Sequence, residues 1–313
     1  MNTELNISAY LCNTYENLAN DSWQMLSERN ITKYCNRHNI PISVIKFDDE
    51  RVQKLISATI KSGRKTNKTN PLIRKIFRLY DFLDSGDDYG LFIDLDTIII
   101  NKDVDVRSCI KLGENYVKCS NSSRDKIWNG HKASGNPRKY NYSLSKYDFA
   151  ERMHPNVKHK HMVSNTGFSI LNRDFCLKYA DYLENNFLNF NKEEHILSYY
   201  NNYPDLSYTV KGMAHCSDEF FFDAYLRSDE KIIDQIKNPS TKYDWQSHRL
   251  CTNSGADETI GKRSSDFKLW DTRLDFEDHT LQYFFDHDPI FHHTLKEKNA
   301  ELCLPLAMRI FSV

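Results

Sequence analysis

Residues 88–100, DYGLFIDLDTIII, contain an apolar run that ends on two aspartates one residue apart, and the fold can be inferred outward from this segment. Turn-forming residues flank the run at 85–88 and 101–103, a pattern typical of a buried strand. Burying an ionised carboxylate is costly unless a cation or hydrogen bonds compensate for the lost water. We therefore expect Asp94 and Asp96 at the carboxyl end of the strand, facing a divalent cation. Carboxylate oxygens suit Mg²⁺ or Mn²⁺, which keep positions open for phosphate oxygens.

The segments before this strand alternate between strand and helix patterns. Residues 6–12 predict a first strand, the chain up to about residue 36 a helix, and residues 42–47 a second strand. Pro71 then favours the start of a helix that leads into the aspartate strand. This alternation is typical of a parallel α/β sheet, in which ligands bind at the carboxyl ends of the strands. We expect Asn13 and Tyr15 on the same edge as the two aspartates.

The second half of the chain changes character. Residues 120–161 are polar, basic and aromatic, and they form either binding loops over the site or a solvated insertion. A strand over 162–171, a helix over 173–187 and a helix beginning near Ser217 follow. There is no repeat or linker that would require a second domain.

Composition excludes several classes of protein. The chain has 313 residues, with 42 Lys+Arg against 43 Asp+Glu, which argues against a general nucleic-acid binder. No apolar run approaches the ~20 residues that a membrane helix needs, and the first residues lack the pattern of a signal peptide. The eight cysteines show no metal-binding spacing, so we expect reduced thiols in a cytoplasmic protein.

The aspartate pair resembles the DxD motif of GT-A glycosyltransferases, enzymes that use nucleotide-diphosphate sugars, and it has further matches to the glycogenin-like members in the expected order. The turn with Asn13 and Tyr15 resembles their nucleotide-contacting turn. Lys75, with Arg78 as a second candidate, resembles the basic residue that reaches the donor phosphates. Residues matching the later motifs are Asn165, on the strand lining the sugar site, the acidic pair Asp218 and Glu219, and the carboxy-terminal His292 and Lys298.

The resemblance implies a fold and an activity. The fold would be a GT-A, Rossmann-like α/β/α sandwich with a mostly parallel central sheet, in one domain over 1–313. Residues 1–105 would form its nucleotide-sugar-binding half and 106–313 its acceptor-binding half. The activity would be metal-dependent transfer of a hexose or pentose from a nucleotide-diphosphate sugar, with UDP favoured, to a glycan hydroxyl.

The resemblance also implies roles for single residues. Asp94, Asp96 and His292 would hold Mn²⁺ or Mg²⁺, with His293 as a rival ligand; Asp94 could instead bind ribose or ligate through water. Lys298 and Lys75 would place positive charge at the departing diphosphate. Asp218 or Glu219 would take the acceptor proton if the reaction inverts configuration, or orient substrate if it retains configuration.

Other interpretations stay open from the sequence. The acidic pair could have no catalytic role and serve only to stabilise the positive end of a helix dipole. Lys75 or Arg78 could be a surface charge. An aspartate-nucleophile phosphatase of the HAD-like kind also places Asp-x-Asp after an apolar strand, although Thr97 stands one residue too early for that pattern. A catalytically silent sugar-nucleotide-binding module is the third possibility.

Overall fold

The structure, a computed structural model, describes residues 5–19, 22–61, 73–95, 97–99, 102–103, 105–121, 146, 149–151, 153–157, 162–186, 217–237 and 290–292. Its helices and strands are numbered here in chain order. The strands are β1 (Ile7–Asn13), β2 (Ile42–Lys46), β3 (Tyr89–Ile93), β4 (Thr97–Ile99), β5 (Asn115–Asn121), β6 (Met162–Asn172), β7 (Ile236–Lys237) and β8 (Ile290–His292). The α-helices are α1 (Trp23–Arg37), α2 (Glu50–Lys61), α3 (Phe77–Ser85), α4 (Arg173–Asn186), α5 (Ser217–Ser228) and α6 (Glu230–Asp234). Two 3₁₀ turns cover Ile73–Ile76 and Val106–Cys109.

The central sheet has six strands in the order β2-β1-β3-β6-β5-β7. Strands β2, β1 and β3 are parallel, β6 is antiparallel to both of its neighbours, and β5 and β7 again run with the first three. The predicted α/β fold with a mostly parallel sheet is therefore confirmed, and β6 is the one reversed strand among the described strands of the sheet.

Helices cover both faces of this sheet. In β1, Ala9 and Leu11 pack into a core that contains the helix α1 residues Ile31 and Tyr34. Tyr10 points to the opposite face and joins a second core with residues of α3, α4 and α5. Because side chains alternate along a strand, a strand buried on both faces needs apolar residues at nearly every position. The resulting three layers match the predicted α/β/α sandwich.

Local sequence signals account for the helix boundaries near the site. The Ser22 side chain accepts a hydrogen bond from the backbone of Met25, 3.4 Å away, and so caps α1. This helix therefore starts later than the sequence pattern predicted. Helix α3 ends at Gly86, whose φ of 82° favours glycine, and β3 begins three residues later. Helix α2 was not predicted, and it follows β2 directly.

Strand β4 leaves the central sheet after a tight turn, in which the Thr97 amide donates to the Asp94 carbonyl at 3.0 Å. It pairs in antiparallel register with β8, which comes from near the carboxyl end of the chain, and Thr97 lies opposite His292. This pairing brings the backbone of His292 beside Thr97, the residue that follows the aspartate pair.

The described residues bear on the expected membrane helices and on the expected state of the cysteines. None of the described helices has the length and apolar character needed to cross a membrane. Cys12, Cys35 and Cys176 are free thiols among the described residues. The cytoplasmic location and the division at residue 105 stay predictions.

Candidate active site

Three elements of the central sheet meet at the edge where β3 ends. Asp94 follows β3 directly, and its backbone amide donates to the Gly167 carbonyl of β6 at 2.8 Å. Because β6 is antiparallel to β3, the first half of β6 lies at the carboxyl end of β3. Asn13 ends the neighbouring parallel strand β1. The predicted edge thus exists, and it carries residues from β1, β3 and β6.

Two cations hold the carboxylate of Asp94. Lys75, from the 3₁₀ turn before α3, forms an ion pair with its Oδ2. Arg78, one turn further on, donates from Nη1 to Oδ1 at 3.1 Å and to the Ile93 carbonyl at 3.0 Å. Arg78 is buried, and Lys75 and Asp94 are largely so. These two side chains are therefore not surface charges, and the helix before β3 delivers both of them to the aspartate predicted from the sequence.

Asp218, the first predicted acid of helix α5, joins the same group. Its Oδ2 lies 3.9 Å from Lys75 Nζ and accepts a hydrogen bond from the Thr166 hydroxyl at 3.1 Å. Lys75 thus stands between the acid after β3 and the acid at the start of α5. Two predicted motifs far apart in sequence contact one ammonium group.

Glu219 points into a buried polar network on the other side of Thr166. Its Oε1 accepts from the Thr166 backbone at 3.3 Å, and its Oε2 accepts from Lys146 Nζ at 3.1 Å. Lys146, only 2% exposed, also donates to the Ser164 carbonyl at 2.6 Å and lies 3.7 Å from Asp223 Oδ2. Asp223 in turn accepts from the Ser164 amide at 2.9 Å. The network ties β6, α5 and Lys146 together.

Counted over the described residues alone, the charges in this region do not balance when every group is ionised. Four carboxyl groups, those of Asp94, Asp218, Glu219 and Asp223, face three cations, Lys75, Arg78 and Lys146.

The buried carboxyl groups of this network are harder to ionise than usual. Burial, reinforced by the charges of Asp223 and Asp94 and opposed by Lys75, raises the pKa of Glu219 to about 8. Burial also raises the pKa of Asp223. A carboxyl group that keeps its proton near neutral pH, beside other acids at a sheet edge, is a candidate for acid–base work.

Cys12 lies at the same edge. Burial raises the pKa of its thiol to about 11, despite the nearby cations Arg78 and Lys75. The surroundings therefore disfavour the thiolate, which is the reactive form, at neutral pH.

The predicted nucleotide turn lies at the end of β1. Asn13 is buried and donates from its amide nitrogen to Glu28, which is also paired with Lys46. Among the described residues, no hydrogen-bond partner satisfies the Asn13 side-chain oxygen. Arg74 fixes the turn by donating to the Thr14 carbonyl at 2.8 Å, and Tyr15 is 39% exposed. The turn therefore offers one buried acceptor and one accessible ring to a ligand.

Several predicted residues fall wholly or partly outside the described residues. Asp96 and Lys298 lie outside them. For Asn165 and His292 only the backbone is described: Asn165 lies opposite Lys118 of β5, and His292 lies opposite Thr97. The predicted roles of these four residues stay predictions.

The donor atoms at this edge are of the kind that suits a hard divalent cation. Asp94 supplies a carboxylate, and Thr97 supplies a buried hydroxyl oxygen without a hydrogen-bond partner in the described structure; hard oxygen donors fit Mg²⁺ or Mn²⁺. No group of three potential ligands occurs within the described part of the chain. Any cation at Asp94 has to share that carboxylate with Lys75 and Arg78.

Sequence reasoning missed Lys146, Asp223, Thr166 and Glu28. Asp223 stands four residues after Glu219, a spacing that places both on one side of a helix, so this signal was available. Lys146 sits in the polar stretch 120–161 and carries no local pattern. Only the folded chain shows that it is buried against α5.

Comparison with known proteins does not establish a family. No family model matches the chain, and no curated protein matches it significantly. Among solved structures, the crystal structure of a glycosyltransferase involved in the glycosylation of the major capsid of PBCV-1 aligns over 96% of this chain and 99% of its own. The identity is 10% and the TM-score 0.43. A superposition at this level carries no argument, so the function proposed below rests on the residues of this chain.

Proposed function

We propose that the protein is a metal-dependent glycosyltransferase. It moves a hexose or pentose from a nucleotide-diphosphate sugar, with UDP preferred, to a hydroxyl group of a glycan or glycoconjugate acceptor. Mn²⁺ or Mg²⁺ is the proposed cofactor.

One observation carries the proposal: an acid that follows a central strand shares a buried cluster with two cations and a second acidic motif. Asp94, Lys75, Arg78 and Asp218 occupy this cluster. The pairing of β4 with β8 supports it further, since the backbone of His292 lies opposite the residue that follows Asp96. The cluster brings together the acidic and basic motifs on which the resemblance to DxD transferases rests.

Each group has a distinct proposed task. Asp94, Asp96 and His292 would hold the cation, which supplies Lewis-acid stabilisation of the charge on a leaving diphosphate when it is bound. Lys75 and Lys298 would place positive charge where the diphosphate departs. Asn13 and Tyr15 would bind the nucleoside, and Asn165 would line the sugar site.

The acidic pair would serve the acceptor. In an inverting reaction Glu219 or Asp218 takes the proton of the attacking hydroxyl. In a retaining reaction the same side chains orient the substrate. Thr166, which contacts both acids, fixes their spacing in either case.

A panel of nucleotide sugars tests the class of enzyme. We expect one donor, a UDP-sugar, to raise the melting temperature only when Mn²⁺ or Mg²⁺ is present, and to be hydrolysed slowly without an acceptor. Release of inorganic phosphate from a phosphomonoester, with no sugar nucleotide consumed, would instead support the HAD-like phosphatase. Donor binding without any turnover would support the silent binding module.

Substitution of the aspartates tests the site. We expect Asp94→Ala or Asp96→Ala to abolish donor hydrolysis and transfer, a loss of roughly 10²-fold or more. Asp103→Ala is the matched control, because Asp103 is exposed and pairs with Arg37 on the surface; its turnover should equal that of the wild type. Near-wild-type turnover of either aspartate variant with the metal chelated would contradict the metal assignment.

A further inference from the structure

Lys75 occupies a position where positive charge is needed whether or not a metal is present. Its ammonium group forms an ion pair with Asp94 Oδ2 and lies 3.9 Å from Asp218 Oδ2. Its side chain is 15% exposed, so little water screens these contacts. One lysine therefore neutralises the acid that the proposed function assigns to the cation.

A divalent cation at Asp94 and the ammonium group at Asp94 oppose each other. Both require the same carboxylate, and like charges a few ångströms apart repel strongly where solvent is scarce. Asp94 Oδ1 is also engaged, because Arg78 donates to it at 3.1 Å. A cation that arrives alone meets an aspartate whose charge is already compensated.

Lys75, rather than Arg78, is the group able to leave. Arg78 is anchored by three bonds, to the Ile93 carbonyl, the Lys75 carbonyl and Asp94. Lys75 carries its charge on a flexible four-carbon chain with rotatable donors, and it starts from the short turn before α3. A diphosphate at this edge would offer the ammonium group a new and more negative partner.

We propose that Lys75 is an exchangeable counter-ion for Asp94. In the protein without ligands it pairs with Asp94; when a diphosphate and a divalent cation bind, it leaves Asp94 for the diphosphate and gives the carboxylate to the cation. This inference rests on the proposed function and adds to it a rule of binding order. The cation alone binds weakly, and the nucleotide and the cation strengthen each other.

Metal binding measured without turnover tests the exchange. The Kd of Mn²⁺ is determined by calorimetry, or by the paramagnetic resonance signal of free Mn²⁺, with and without saturating UDP. For the wild type we expect UDP to tighten Mn²⁺ binding about tenfold or more, a usual size for coupling between two sites. For Lys75→Met we expect Mn²⁺ alone to bind about tenfold more tightly than to the wild type, and most of the effect of UDP to disappear.

Two control variants show whether the effect on Mn²⁺ binding comes from the charge at position 75. Lys75→Arg keeps the positive charge, so Mn²⁺ alone should bind it as weakly as the wild type. Lys54→Met removes a lysine that is 69% exposed on α2 and pairs with Glu50; it should leave both Kd values unchanged. Circular dichroism and the melting temperature establish that each variant is folded.

The possible outcomes distinguish failure of the Lys75 exchange from failure of the proposed glycosyltransferase function. If wild-type Mn²⁺ binding depends on UDP but Lys75→Met binds Mn²⁺ alone no more tightly, the exchange is wrong and the proposed function stands. If Lys75→Arg gains affinity as Lys75→Met does, charge competition is also wrong. If the wild type binds no Mn²⁺ even with UDP, the proposed function fails and the exchange fails with it.

Discussion

The surroundings of Glu219 change the pKa of its carboxyl group. Its side chain is 16% exposed and lies beside Lys146. Burial and the charges of Asp223 and Asp94 nevertheless favour the protonated form and bring the pKa to about 8. Near neutral pH the group can donate a hydrogen bond, and above pH 8 it can accept a proton.

This pKa predicts how activity depends on pH. If Glu219 is the base for the acceptor hydroxyl, transfer should rise with pH and level off above a midpoint near 8. Glu219→Gln should remove the rise and lower the rate by about 10²-fold or more. The measurement is kcat/KM for transfer between pH 6 and pH 9. A flat wild-type profile across this range would contradict the role as a base.

The same pKa predicts a change in stability. The folded-state pKa is raised above the ordinary value of 4.5, so the protonated group contributes stability that is present below pH 4.5 and is lost as pH rises through about 8. Relative to Glu219→Gln, the wild type should lose at least about 2 °C of melting temperature between pH 5 and pH 8.5. Equal differences at both pH values would mean that Glu219 is not desolvated in the folded protein.

At the scale of elements, the close approach of α3 to β3 positions the cations against Asp94. Gly90 of β3 makes this approach possible: a Cβ there would lie 2.7 Å from the Phe92 ring and 3.1 Å from Phe82 of α3. Phe82 and Phe92 already pack edge to face, with ring centroids 5.8 Å apart. A tight aromatic contact thus joins the helix with Arg78 to the strand that ends at Asp94.

Gly90→Ala should therefore destabilise the fold. Forcing one more carbon into a filled core costs about 1–3 kcal/mol, measured as the free energy of unfolding in urea. The double variant Gly90→Ala/Phe92→Leu should recover part of that loss, because the smaller side chain relieves the contact. If the two substitutions were simply additive, the ring would not be the source of the strain.

At the scale of the whole molecule, the proposed metal site would depend on a contact between distant parts of the chain. Strand β8 carries His292 to the position opposite Thr97 of β4. The pairing lies in a separate two-stranded sheet beside the six-stranded one. The proposed metal site therefore joins the middle of the chain to its far end.

Replacing the two adjacent histidines separately tests this arrangement. His292→Ala should weaken Mn²⁺ binding in the presence of UDP by about tenfold or more, because an imidazole ligand is lost. His293→Ala tests the rival ligand in the same way, and it should bind Mn²⁺ as the wild type does. The reverse result would assign the ligand to His293.

The fold could be predicted from sequence because its signals are local. The apolar run before Asp94, the turn residues around it and the alternation of strand and helix patterns each depend on near neighbours. They gave the parallel sheet and the edge that carries Asn13 and Asp94. Helix α2 and the late start of α1 were missed, because boundaries depend on caps such as Ser22.

Within the candidate site, local sequence patterns predicted the acid that follows β3, the basic residues before it and the acidic pair near the start of α5. The position of Lys75 between Asp94 and Asp218, and the burial of Lys146 against Glu219, became visible only in the folded chain. Ion pairs form between groups that are close in space, and burial sets their strength. Neither the distance between two groups nor their burial can be inferred from the spacing of residues along the chain.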